Sequence, residues 1–165
     1  MRIEQIFTSP GHNYYGHHGR PPDDFPLVEA EQVECVAGRG LRGDRFFDYA
    51  DDYKGQITFL SCEVVGLMWE HFGLTKSPGV LRRNVIASGV DLMELIGADF
   101  ELQGVRFHGT AHCKPCSWMN IAFAPGAEQF LAGRGGLRAR ILSDGRIRVG
   151  EARLRILQPA AAKTA

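Results

Sequence analysis

Apolar residues recur along the chain in short alternating or continuous runs, and glycine or proline punctuates them. RIEQIFTS, from Arg2, alternates as a strand does. LVEAEQVECVAG, from Leu27, reads as a second strand, QITFL, from Gln56, as a short buried one, and NVIAS, from Asn84, as another. FELQGVRFH predicts a hairpin turning at Gln103-Gly104. LRARILS, then Asp144-Gly145, then RIRVG carries the strongest hairpin signal in the chain. ARLRIL, from Ala152, supplies a last strand before a Pro/Ala tail, 158–165, predicted to be disordered.

Helical periodicity is rarer. Ser61 suits the N-cap of a helix running to about Phe72 and stopped by Gly73, with Val64, Val65, Leu67, Met68 and Phe72 as its apolar face. Ser77-Pro78 opens a short helix, VDLMEL a short helix or turn, and GAEQFLAG one or two helical turns. Between Pro10 and Pro26 lies a loop rich in Gly, Pro and His. Its residues 11–20 hold His12, His17 and His18, which read as solvated, as a cover for a site, or as metal ligands. Short strands outnumber helices, and their spacing does not follow a βαβ rhythm. The expected fold is therefore mostly β: a closed or partly closed β-barrel with a few short peripheral helices, in one domain over 1–157.

Composition narrows the class. At 165 residues the chain is long enough to bury a core without staples. Its formal net charge of 0 argues against general binding to nucleic acid or a membrane surface. No apolar stretch approaches the ~20 residues of a membrane span. Met1 runs directly into a strand-like segment, so no signal peptide is expected and the location reads as cytoplasmic. Four cysteines are too few for a secreted disulfide scaffold, and thiols are expected. Cys35 and Cys62 sit in apolar surroundings and read as buried structural thiols. Charge is uneven: Glu4, Asp23, Asp24, Glu29, Glu31 and Glu34 crowd the start, whereas Arg134, Arg138, Arg140, Arg146, Arg148, Arg153 and Arg155 crowd the end. Opposite solvated faces explain that asymmetry, and so does a site for an anionic ligand.

The candidate chemistry centres on HGTAHCKPCSWMN, residues 108–120. Two thiolates, Cys113 and Cys116, with His108 and His112 form the donor set of a zinc site, but the chain holds no second ligand pair beyond Cys116. A thioredoxin-like dithiol needs a long helix after the motif, and here Pro125-Gly126 interrupts the segment beyond Cys116. A third reading takes Cys116 as a single functional thiolate, a soft-metal ligand or a sulfur carrier, with His112 and Lys114 as cationic neighbours and Cys113 secondary. Loop packing alone is the fourth.

Two arginine motifs accompany it. In GLRGDR, Gly43 permits a turn through which backbone amides approach a ligand, Asp44 can brace that turn, and Arg45 adds a fork for phosphate. In LRRN, Arg82, Arg83 and Asn84 stand between a short helix and a strand. Together these suit a phosphate-bearing cofactor beside Cys116.

The ordered series GLRGDRF, QITFLSCE, LRRNVIASGVDL, GADFELQGVRF, HCKPC, GRGGLRARIL and DGRIRVGE resembles the MOSC domain, named for the C-terminus of molybdenum-cofactor sulfurases, over about 28–157. The resemblance implies a β-barrel-like fold and a molybdenum cofactor (molybdopterin). It implies that Cys116 either ligates molybdenum, as in the amidoxime-reducing and hydroxylaminopurine-reducing members, or carries sulfur, with Cys113 as a further candidate ligand. Arg45 and the Arg82-Arg83-Asn84 group match positions facing the cofactor's phosphate and pterin. The function expected is reduction of small N-hydroxylated or N-oxide substrates. The alternatives are a sulfur carrier with a Cys116 persulfide, or a non-enzymatic zinc domain. A short chain of this type also implies an electron-transfer protein partner or a homodimer.

Overall fold

The computed structural model describes residues 1–14 and 20–160. His17 and His18 of the His-rich loop, and residues 161–165 of the expected tail, lie outside the described residues. The strands are β1 (Arg2–Thr8), β2 (Val28–Glu29), β3 (Gln32–Val36), β4 (Gly40–Leu41), β5 (Ile57–Ser61), β6 (Val85–Ser88), β7 (Asp99–Leu102), β8 (Val105–His112), β9 (Leu137–Ile141), β10 (Gly145–Arg148), β11 (Gly150–Glu151) and β12 (Arg155–Gln158). The helices are α1 (Cys62–Phe72), α2 (Trp118–Ala122) and α3 (Ala127–Phe130), with 3-10 turns at Pro78–Leu81 and Leu92–Leu95. The fold is mostly β with few helices. Among the described residues no helix is long and apolar enough to cross a membrane.

The main sheet runs in the order β11-β1-β6-β5-β9-β8-β7-β12, with β2 paired to β1, and a smaller sheet runs β10-β3-β4. Among the described residues these pairings form an open path and do not close into a ring. All pairs are antiparallel except β5 with β6, where Phe59 stands opposite Val85. Parallel neighbours need a long crossover, and α1 provides it. One βαβ unit is therefore present where the strand spacing predicted none. β5 is buried along Ile57, Thr58, Phe59 and Leu60 because both of its faces are covered. Phe59 packs with Phe100 and Phe107 in one core, and Leu60 joins Met68, Leu81, Met119 and Phe123 in the other, under the helices.

α1 forms as its sequence predicts. Ser61 Oγ accepts from the Val64 amide at 3.2 Å, and Gly73 closes the helix at φ 61. Its buried stripe is Val65 and Met68, whereas Leu67 is exposed, because it lies well round the helix from that stripe. Cys35 is fully buried, and burial, with Glu34 adding to it, pushes its thiol up to about 12. Cys62, at the start of α1, is only half-buried.

The expected hairpin across Asp144-Gly145 does not form. Both edges of β9 are occupied, by β5 and β8, so β10 has no edge to join and pairs with β3 instead. Asp144 Oδ1 accepts from the Ala37 amide at 2.8 Å and helps carry the chain to the small sheet. LVEAEQVECVAG likewise splits, β2 going to β1 and β3 to the small sheet. The last strand runs through Gln158, one residue into the segment expected to be disordered.

Candidate functional site

The GLRGDR and LRRN segments meet through Asp44 and Asn84. After β4 the chain turns at Gly43, φ 82, an exposed position that favours glycine. The Asp44 carboxylate accepts from the Ser9 amide at 3.2 Å, the Phe46 amide at 3.1 Å and Asn84 Nδ2 at 3.1 Å. Asn84 Nδ2 also donates to the Phe7 carbonyl at 3.1 Å, and its Oδ1 accepts from the Thr58 amide at 3.1 Å and hydroxyl at 2.8 Å. Both side chains are buried. They brace the ends of β1, β5 and β6 from behind the cavity wall, and neither lines the cavity, nor does Gly43.

The arginines stand on that brace. Arg45 lies over the Phe46 ring at 4.9 Å, pairs with Asp44 at 3.3 Å and donates to the Arg82 carbonyl at 3.2 Å. Arg82 caps the first 3-10 turn at φ 61 and donates to Ser9 Oγ at 3.2 Å and the Gly11 carbonyl at 2.6 Å. Arg83 is buried and donates to the carbonyls of Gly135 at 2.8 Å, Leu81 at 2.9 Å and Cys113 at 3.1 Å. Burial, with Arg45 adding to it, pushes Arg82 down to about 10. Arg45 is lowered as well, by burial first and by Arg83 against the pull of Asp44. Crowded, dehydrated cations of this kind create a positive potential that an anion relieves.

The cysteine loop is held from the opposite side. The Cys113 amide donates to the Gly136 carbonyl at 2.6 Å, and the Gly135 amide donates to His112 Nε2 at 3.0 Å. A Cβ on Gly135 would stand 2.4 Å from the Cys113 oxygen, so glycine permits this contact. Burial, then Arg83, Lys114 and Arg138, lower the His112 imidazole, in keeping with its role as acceptor. Cys113 is buried, whereas Cys116 is exposed, and the Met119 amide donates to its carbonyl at 2.9 Å. The next helix, α2, spans five residues, so the long helix of a dithiol oxidoreductase is replaced by a single short one.

The zinc donor set is dispersed. His108 pairs with Asp99 at 2.6 Å between β7 and β8, and His112 is engaged by Gly135. Among the described residues no group of three or more His, Cys, Asp or Glu is placed to hold a metal ion.

What the fold does bring together is a cavity of about 240 Å³ lined by both Cys113 and Cys116. Its cations are Arg45, Arg82, Arg83, Lys114 and Arg138, and its aromatic walls are Tyr14, Phe46, Tyr53 and Trp118. Among the described residues no Asp or Glu lines it. His112 opens instead onto a neighbouring cavity beyond Lys114 and Pro115. Arg138 carries no motif that singles it out in the sequence, although its alternation with the buried Leu137 and Ala139 on β9 puts it on the other face of the strand. Burial works to lower Arg138, but its contact with Cys113 and the fields of Cys113, Tyr53 and Cys116 raise it on balance. His12, Asn13 and Tyr14, of the His-rich loop, also reach the cavity.

Clustered arginines and an exposed cysteine line one cavity on a largely antiparallel β scaffold. The MOSC domain family model matches residues 17–153, and the chain belongs to that family. The fold is similar to the YUAD protein from Bacillus subtilis (APC1665), at 16% identity and TM-score 0.70 over 93% of each chain. It is also similar to YiiM from Geobacillus stearothermophilus, at 18% identity and TM-score 0.68 over 95% of this chain and 75% of that one. YiiM from Escherichia coli, at 15% identity and TM-score 0.67, matches over 98% and 72%. No match was found among curated proteins.

Proposed function

We propose that this protein binds a molybdenum cofactor in the cavity beside Cys116 and reduces small N-hydroxylated or N-oxide substrates. The observation that carries the reading is the cavity's charge: among the described residues, five cationic side chains and no carboxylate line a space that also holds the exposed Cys116. The donor set fits the group. Guanidinium forks at Arg45, Arg82 and Arg138 suit a phosphate dianion. The faces of Phe46, Tyr53 and Trp118 suit a flat heterocycle. A thiolate at Cys116 is the soft ligand that molybdenum favours.

When bound, the cofactor supplies the redox metal. The chain's own residues bind and orient. Arg83 holds the cysteine loop at its Cys113 carbonyl, Asp44 and Asn84 hold the arginine turns, and Tyr14 and Trp118 wall the site near Cys116.

Expression in a host that makes the cofactor should give about one molybdenum atom per chain, lost in Cys116→Ala. Absence of molybdenum with Cys116 intact overturns the proposal. An intact mass one sulfur heavier, reversed by reductant and absent in Cys116→Ala, identifies the sulfur carrier instead.

A further inference from the structure

Among the described residues of the His-rich loop, His12 lines the cavity, and its neighbours are pinned on both sides. On one side the Arg45 amide donates to the Ser9 carbonyl at 2.7 Å, and Arg82 Nη2 donates to the Gly11 carbonyl at 2.6 Å. Gly11 itself lies against the Phe25 ring, where a Cβ would come within 2.4 Å. On the other side Asn13 Oδ1 accepts from the Phe25 amide at 2.8 Å, its Nδ2 donates to the Phe25 carbonyl at 3.2 Å, and the Tyr14 hydroxyl bonds Ser117 Oγ at 2.8 Å. His12 stands between these two pinned points, its ring edge-on to Phe46 at 4.8 Å. Phe46 is the ring that carries Arg45. His12 also precedes residues 17–153, which the family model matches.

We infer that His12 is a titrating member of the anion cradle: a phosphate-like dianion entering the cavity takes up a proton at His12, and the charged imidazole donates to it. The inference rests on the proposed reading of the cavity as an anion site, and it adds a residue and a pH dependence. Burial, then Arg45 and Arg82, hold the imidazole below its ordinary value, with Asp44 opposing them. Tyr49 packs against the ring at 6.2 Å. Across the cavity stand Arg83, Lys114 and Arg138, the thiols of Cys113 and Cys116, and the phenols of Tyr14 and Tyr53. A dianion cancels the field of the arginines, the imidazole becomes easier to protonate, and the proton comes from solvent. Binding should therefore tighten as pH falls.

Sulfate is the probe, since it carries no proton of its own near neutral pH. Calorimetry in two buffers of different ionisation enthalpy, run on the full chain, counts protons taken up per sulfate bound. The expected result is net uptake and an affinity that weakens as pH rises from about 5.5 to 7.5. In His12→Gln most of the uptake should be lost, leaving only the smaller share that His112 takes up as the field of Arg83, Lys114 and Arg138 is cancelled, and the affinity should drop roughly tenfold at the acid end. In His112→Gln, which alters a lowered histidine that does not line the cavity, most of the uptake should persist. Sulfate binding with no uptake, or uptake unchanged in His12→Gln, overturns the role of His12 while leaving the cradle standing. No sulfate binding by the wild type overturns the cradle and this inference together.

Discussion

Arg83 donates to the carbonyl of Cys113 at 3.1 Å, and this bond ties the LRRN segment to the cysteine loop across 30 positions of sequence. The same guanidinium reaches Gly135 and Leu81. It is thus a three-way clamp on main-chain oxygens as well as part of the cavity wall. Arg83→Met should remove the clamp and leave buried carbonyls without donors, at a cost of about 2–4 kcal/mol. Lysine carries the charge without the planar fork, so Arg83→Lys should recover little of the loss. Urea unfolding measures the cost, and faster alkylation of buried Cys113 reports the loosened loop. A loss under about 0.5 kcal/mol would count against the clamp.

Two glycines hold the cysteine loop from its other side, Gly136 through the Cys113 amide and Gly135 through His112. A Cβ on Gly135 would stand 2.4 Å from the Cys113 oxygen, and one on Gly136, at φ 99, would stand 2.0 Å from the Phe59 oxygen. Backbone atoms cannot swing aside, so either alanine variant should cost roughly 3 kcal/mol or more. Gly66, inside α1, has nothing within 4 Å of a Cβ. Gly66→Ala should therefore stabilise the protein by about 0.5–1 kcal/mol. Thermal melts of the three variants side by side test both signs.

The motifs that assemble the site are legible in the sequence, whereas the division of labour within them is not. GLRGDR, LRRN and the Cys113–Cys116 loop do converge. Yet Asp44 and Asn84 turn away from the cavity to satisfy each other, because a buried carboxylate beside Arg45 needs further donors. Strand alternation marks Arg138 as facing away from Leu137 and Ala139, but only the packing shows what that face looks onto. Asp144-Gly145 has the chemistry of a hairpin, and it fails because the edges of β9 are already taken by strands remote in sequence. Local signals choose turns and caps; which edge is vacant is a property of the whole sheet.

His112 gives the fold a pH dependence. Its Nε2 accepts from the Gly135 amide, which requires the neutral ring, and burial, with Arg83, Lys114 and Arg138 adding to it, lowers its affinity for a proton. The unfolded chain, with an ordinary value near 6.5, then binds more protons than the native state as pH falls. The stabilising contribution is complete above that value and is lost progressively below it. Urea midpoints should fall from about pH 7.5 to pH 5. In His112→Gln, whose amide oxygen can still accept from Gly135, the slope should be shallower. An identical slope in the variant would place the effect elsewhere.

Arg138 faces the cavity from β9 among four other cations, with no lining acid among the described residues, so in the proposed anion site its charge would serve the ligand more than the fold. In chloride, Arg138→Gln should keep its stability within about 1 kcal/mol of wild type. Sulfate should separate the two. At ten times its dissociation constant a ligand of the native state adds roughly 1.4 kcal/mol, which raises the melting temperature. Millimolar sulfate at matched ionic strength isolates this effect, because general exclusion of the salt from the protein surface needs far higher concentrations. The wild type should gain melting temperature under those conditions and Arg138→Gln should gain much less. Equal gains would show that sulfate acts on the surface at large and not in the cradle of Arg45, Arg82 and Arg138.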